Sequence, residues 1–147
     1  MKRFATTFLL TCVLGLASAS AGEKGLMHCF AFTTIDTATP AEWEAFVKAT
    51  DAWPSKFSEI KHVWVGKLAR PLAQYRVDAA TGKKFAENPK QSGIEATRVM
   101  RSWGVCMHME SQDTLKKYVT QPYHKEWMAA YEKVRVAGTT TYDIIGQ

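Results

Sequence analysis

The chain has 147 residues, 46% of them hydrophobic and 12% aromatic, with 19 Lys and Arg against 14 Asp and Glu for a formal net charge of +5. The basic residues are dispersed among acidic ones, with no arginine-rich run and no nucleic-acid motif, which excludes nucleic acid as a partner. Neither internal repeats nor low-complexity tracts occur, and the length suits one compact domain.

Residues 1–21 read as a secretory signal peptide. Lys2 and Arg3 make a basic start, an apolar run extends from Phe8 to Ala17, and Ala19-Ser20-Ala21 forms an A-x-A cleavage site. The run is short for a membrane span and no second candidate follows, so the expected product is a soluble periplasmic or secreted protein without a membrane span. Thr11 precedes Cys12 where a lipoprotein signal has a small Gly, Ala or Ser, which argues against a lipid anchor. Cleavage removes two basic residues and no acidic one, leaving residues 22–147 with a formal charge of +3.

In the mature chain, the first predicted strand spans 26–35, with Leu26, His28, Phe30 and Phe32 alternating against Met27, Cys29, Ala31 and Thr33. Thr39-Pro40-Ala41-Glu42 starts a helix, with Thr39 as N-cap, Pro40 in the first turn and Glu42 completing a capping box. Its inward stripe is Trp43, Phe46, Val47 and Thr50, and it stops near Trp53 because Pro54 follows. A second strand runs from Ile60 to Leu68. Residues 69–95 then carry Arg70-Pro71, Thr81-Gly82, Asn88-Pro89 and Ser92-Gly93, a density of breakers that predicts a long loop: a lid, a partner surface or a tolerated insertion.

The third strand covers 97–110, with Trp103, Val105, Met107 and Met109 alternating against Gly104, Cys106 and His108. A short helix around 113–119, a second from Pro122 to about Val134 and a last strand from Thr139 to Ile145 complete a β-α-β-β-α-β order. That order is ferredoxin-like and α+β: one antiparallel sheet with helices on one face. The other face carries Met27, Cys29, Ala31, Gly104, Cys106 and His108, a small and partly apolar set suited to close approach of a second sheet. Cys29 and Cys106 fall in strands that neighbour one another in such a sheet, and two readings stand: a bridge, or two buried free thiols. The pair has neither redox-centre spacing nor enough companions for zinc.

The segment Tyr118-Val-Thr-Gln-Pro-Tyr-His124 brings a phenol and an imidazole together across a helix break. Pro122 ends one helix and suits the first turn of the next, while Leu115, Tyr118 and Val119 on one side and His124, Trp127, Met128 and Tyr131 on the other follow inward stripes. An inward His near an inward Tyr is a candidate proton-transfer pair; the structural alternative is a core His and Tyr bonded to the backbone.

Tyr118 with Gln121-Pro122-Tyr123-His124, preceded by Met109-Glu110-Ser111 and Leu115, resembles the signature of the stress-responsive dimeric α/β-barrel (Dabb) family. A first strand reading Met27-His28-Cys29-Phe30-Ala31-Phe32, Gly66 in the second strand and Tyr142-Asp143-Ile144 in the last agree with it. The resemblance covers residues 26–146. It implies a ferredoxin-like domain whose sheet pairs with that of a second copy, making a homodimeric barrel, and a place in a stress response. A few members are polyketide cyclases that use a His and a Tyr resembling His124 and Tyr118. On that resemblance His124 is the general base, Tyr118 orients substrate or holds an oxyanion, and His28 assists. Those cyclases carry a polar residue where this chain has Trp103, which puts substrate and activity in doubt.

The expected pocket lies between sheet and helices, with His28, Tyr118 and His124 as its polar tips and Phe30, Trp103 and Trp127 as its walls. His28, beside phenylalanines, also reads as a core His bonded to a carbonyl, and the tryptophans as core. No Asp or Glu sits at ligand spacing beside His28 and His124, so no metal is expected, and no cofactor is called for. Three functions remain open: an exported dimer that binds a small hydrophobic or aromatic ligand, an acid/base enzyme of the polyketide cyclase kind using His124 and Tyr118, or a heme-handling or oxygenase activity of the ferredoxin-like dimer type.

Overall fold

The computed structural model describes residues 25–90 and 93–146. The signal-peptide reading and its cleavage site fall outside them. No described helix is long and apolar enough to cross a membrane.

Strands β1 (Leu26–Thr34), β2 (Ile60–Arg76), β3 (Thr97–Met109) and β4 (Arg135–Ile145) form one sheet in the order β2-β3-β1-β4, and every pairing is antiparallel. Helices α1 (Pro40–Asp51), α2 (Trp53–Lys56), α4 (Gln112–Tyr118) and α5 (Pro122–Val134) connect the strands, together with α3 (Ala79–Glu87) between β2 and β3. This is the ferredoxin-like α+β layout expected from the order of elements. The capping box at Thr39 and Glu42 is formed, each satisfying the other's backbone N–H, so α1 starts where its sequence signals place it.

Strand alternation sorts the sheet into two faces. Leu26, Phe30, Phe32, Val105, Met107 and Met109 pack with Phe46, Trp53, Trp127 and Tyr131 from the helices into one apolar core. Each buried aromatic side chain contributes on the order of 2–3 kcal/mol to that burial. The opposite face carries Trp64, Tyr142 and Ile144, all about half exposed in the single chain.

One expectation is corrected, and one open alternative is decided. The stretch 69–95 is not a long irregular loop: β2 continues to Arg76, and residues 79–87 are helix α3. The breakers sit where regular structure tolerates them. Pro71 lies in the register shift between Lys67 and Leu72 of an edge strand, where no ladder donor is required, and Asp78 caps α3 by accepting from the N–H groups of Ala80 and Thr81 at 2.9 Å each. The extended arm is tied down by Arg101, whose buried guanidinium donates to Thr33 Oγ1, Thr140 Oγ1 and Gln74 Oε1 at 3.0–3.3 Å. Of the two readings of Cys29 and Cys106, the bridge is the one formed. They face one another in the β1–β3 register with Cα atoms 4.2 Å apart, on the face turned away from the helices.

Candidate functional site

The polar end of the site is built at the α4–α5 break. Ser111 caps α4, its Oγ accepting from Thr114 N–H at 3.2 Å, and Thr114 Oγ1 and Lys117 Nζ both donate to Glu59, at 2.9 Å each. That clamp anchors α4 to the segment entering β2. The chain then turns, with Gln121 N–H donating to Tyr118 O at 3.1 Å, and Pro122 opens α5. The result is edge-on contact between the rings of Tyr118 and His124, with centroids 4.8 Å apart and planes at 89°. Trp53 packs at 4.7 Å from Tyr118 and Trp127 at 5.8 Å from His124, the latter fixed by its indole N–H donating to Thr50 Oγ1 at 2.9 Å.

From the sheet side, His28 lies 6.0 Å from Tyr118 and 5.6 Å from Phe30. Its Nδ1 is 2.7 Å from Asp143 Oδ1, directly opposite in β4. An ionised carboxylate only accepts, so Nδ1 carries the proton in this pair. The alternative of a carbonyl-bonded core His is replaced by a His–Asp pair.

Five of the six expected site residues, His28, Phe30, Tyr118, His124 and Trp127, line one groove of about 220 Å³. It continues along α5 and β4 past Met128 and Tyr131 to Arg135, Thr139 and Thr141. The sixth is corrected. Trp103 pairs with Phe32, two positions beyond Phe30, and packs against Trp43 of α1 at 4.4 Å, in a separate, larger depression of about 830 Å³ near Thr34 and Asp36. Facing the helices was not enough to reach the groove, because Trp103 stands on β3, across β1 from β4, while the groove runs along the β1–β4 side of the sheet.

Two features give the groove its chemistry. Among the described residues, neither the Tyr118 hydroxyl nor a His124 ring nitrogen has a hydrogen-bond partner, although Tyr118 is buried and His124 half-buried. Burial also shifts both toward their neutral forms: it lowers the His124 pKa from its ordinary 6.5 and pushes the Tyr118 phenol up. At neutral pH the groove thus offers an uncharged imidazole able to accept a proton and a protonated phenol able to donate a hydrogen bond.

Asp143 is a residue of the site that sequence reasoning misses, although Tyr142-Asp143-Ile144 reads as part of the last strand. The signal was available: Thr139, Thr141 and Asp143 share the parity that faces the helices, and an Asp on that face needs a partner. Arg135, the first residue of β4, was missed because that strand was expected to begin at Thr139.

No family model and no curated protein matches the sequence. Solved structures do. A dimeric ferredoxin-like protein of unknown function from Thermobifida fusca is 17% identical, with 84% of this chain and 92% of that one covered and a TM-score of 0.54. The hydroxynitrile lyase of Passiflora edulis is 10% identical over 86% of this chain and 95% of its own, with a TM-score of 0.56. A Dabb-family protein with a ferredoxin-like fold from Mesorhizobium loti is 13% identical over 85% and 99%, with a TM-score of 0.54. At these identities the likeness is one of fold: this chain has the ferredoxin-like fold of a solved Dabb-family protein and of dimeric relatives of that architecture.

Proposed function

We propose that the chain is an exported, homodimeric α/β-barrel protein that binds a small hydrophobic or aromatic compound in the groove between β1, β4 and α5. The observation that carries this reading is that the Tyr118 hydroxyl and the His124 imidazole, without protein partners among the described residues, border a 220 Å³ groove walled by Phe30 and Trp127. A mostly apolar concavity with a few convergent polar groups is the usual form of a small-molecule site. Titration calorimetry with 4-propylphenol and butyrophenone tests it. Saturable binding that weakens in Trp127→Ala and Tyr118→Phe is expected, and no heat from either compound at millimolar concentration refutes the site.

A second reading, acid/base turnover, is favoured by the neutral His124 beside Tyr118 and by the His28–Asp143 pair, whose carboxylate orients the His28 ring beside them. The hydroxynitrile lyase among the structural neighbours shows that this fold hosts an enzyme. Its test is α-deuterium exchange of butyrophenone in D₂O. His124→Ala lowers a catalysed exchange rate by about 10²–10⁴-fold, and exchange at the uncatalysed rate in the wild type sinks this reading while leaving the binding one standing.

Dimerisation is supported by the half-exposed Trp64, Tyr142 and Ile144 on the helix-free face and by the dimeric neighbours. Light scattering that returns a monomer at micromolar concentration overturns it. Export rests on the basic, apolar and A-x-A sequence of residues 1–21, and an intact mass starting at Gly22 is expected of the secreted protein. The stress-response role rests on the family resemblance, and a deletion strain as stress-tolerant as its parent overturns it.

A further inference from the structure

The far end of the groove differs in character from the end that holds Tyr118 and His124. Arg135 lines it, with a side chain only 16% exposed and its Cζ 4.5 Å above the Tyr131 ring. Its Nε is buried with no hydrogen-bond partner, and its nearest carboxylate, Glu132 Oε1, stands 3.9 Å from Nη2 on a mostly exposed side chain. No hydrogen bond from this guanidinium to another described residue occurs. The Tyr131 ring and the exposed Glu132 carboxylate compensate this desolvated cation in part, and the buried Nε remains without an acceptor. Arginine also presents a planar fork of donors that matches a carboxylate on two atoms.

The groove carries this cation and the acid/base residues toward opposite ends. Asp143 pairs with His28 at one end and Thr139 with Phe32 near the other, so four residues of β4 span about 13 Å. Between them the wall is mostly apolar, made of Phe30, Trp127, Met128 and the Tyr131 ring, with Thr141 of β4 and the Tyr131 hydroxyl, buried without a hydrogen-bond partner among the described residues, as its polar atoms.

We infer that Arg135 is an anion-binding subsite, and that the groove takes an elongated ligand with an oxygen at the Tyr118–His124 end, an apolar middle and a carboxylate at Arg135. This rests on the small-molecule reading of the same groove. It adds what that reading leaves open, the charge and length of the ligand.

The probes are 4-(4-hydroxyphenyl)butanoate and its neutral carboxamide, compared by titration calorimetry at low salt. A charge-assisted fork is expected to favour the carboxylate by about 10- to 100-fold. In Arg135→Gln the carboxylate falls to the affinity of the amide, while amide binding stays within about threefold of the wild type; Arg135→Lys keeps part of the preference. Melting curves report whether Arg135→Gln folds. If it does not, the folded Arg135→Lys variant decides, since a point charge without the fork reduces the preference severalfold. Equal binding of acid and amide by the wild type overturns the subsite and leaves the groove standing as a ligand site. A preference unchanged in the variants also overturns it. If neither probe binds, the small-molecule reading falls and the subsite falls with it.

Discussion

Replacing Tyr118 by Phe removes one oxygen and keeps the ring that packs on Trp53 and His124 at 4.7 and 4.8 Å. If that hydroxyl supported the core, its loss would strand a partner and cost about 1–3 kcal/mol. Among the described residues it has no such partner, and burial already penalises its ionised form. Stability is therefore expected to stay within about 0.5 kcal/mol of the wild type. The loss should appear in binding. A hydrogen bond to a neutral oxo group is worth about 0.5–1.5 kcal/mol, a two- to twelvefold change in affinity, and a donor to a developing oxyanion is worth about 10²–10³ in rate. Thermal unfolding and titration with butyrophenone on the same preparation separate the cases. A melting temperature several degrees lower with affinity unchanged would refute the reasoning and return Tyr118 to the core.

Reduction of the Cys29–Cys106 bridge releases a closed loop of 77 residues, for which chain entropy alone predicts a loss of about 4.5 kcal/mol and a fall in melting temperature on the order of 15 °C. Melting with and without reductant measures it, and coincident curves contradict the bridge. The His124 pKa, lowered by burial, gives a pH dependence of definite sign: the unfolded chain binds the proton more tightly, so this contribution is intact above pH 6.5 and is lost as pH falls through the folded-state pKa. Denaturant titrations across pH 4–7 should show the wild type losing stability relative to His124→Gln toward acid. Parallel profiles would show that burial does not lower the His124 pKa.

Much of the architecture was legible because local signals and strand parity agreed. Thr39 and Glu42 cap α1 as their spacing requires, and alternation in β1 and β3 separates Phe30 and Val105 from Cys29 and Cys106. The failures have a common cause. Breaker density around Pro71 and Gly82 was read as irregular structure, yet an edge strand tolerates a proline at a register shift and a well-capped helix tolerates an internal glycine. Parity also places a side chain on a face without saying which side of that face it occupies, so Trp103, on β3 rather than on the β1–β4 side, packs against Trp43 and does not reach the groove. Asp143 was invisible as His28's partner because cross-strand register between β1 and β4 depends on connections spanning more than a hundred residues.

The site nevertheless depends on a feature that local sequence does encode. On an uninterrupted helix, Tyr118 and His124, six residues apart, would lie about 120° from one another around the axis and would not share a face. Pro122 interrupts it, and the turn closed by Gln121 N–H on Tyr118 O re-aims α5 so that the two rings meet edge-on. The break alone would leave α4 a seven-residue helix with little stability of its own. Glu59, holding Thr114 and Lys117, supplies the tertiary anchor that keeps Tyr118 in position. The phenol–imidazole contact thus arises from a proline-enforced break locked by one carboxylate outside the groove, so loosening that clamp should disturb ligand binding before it disturbs the core.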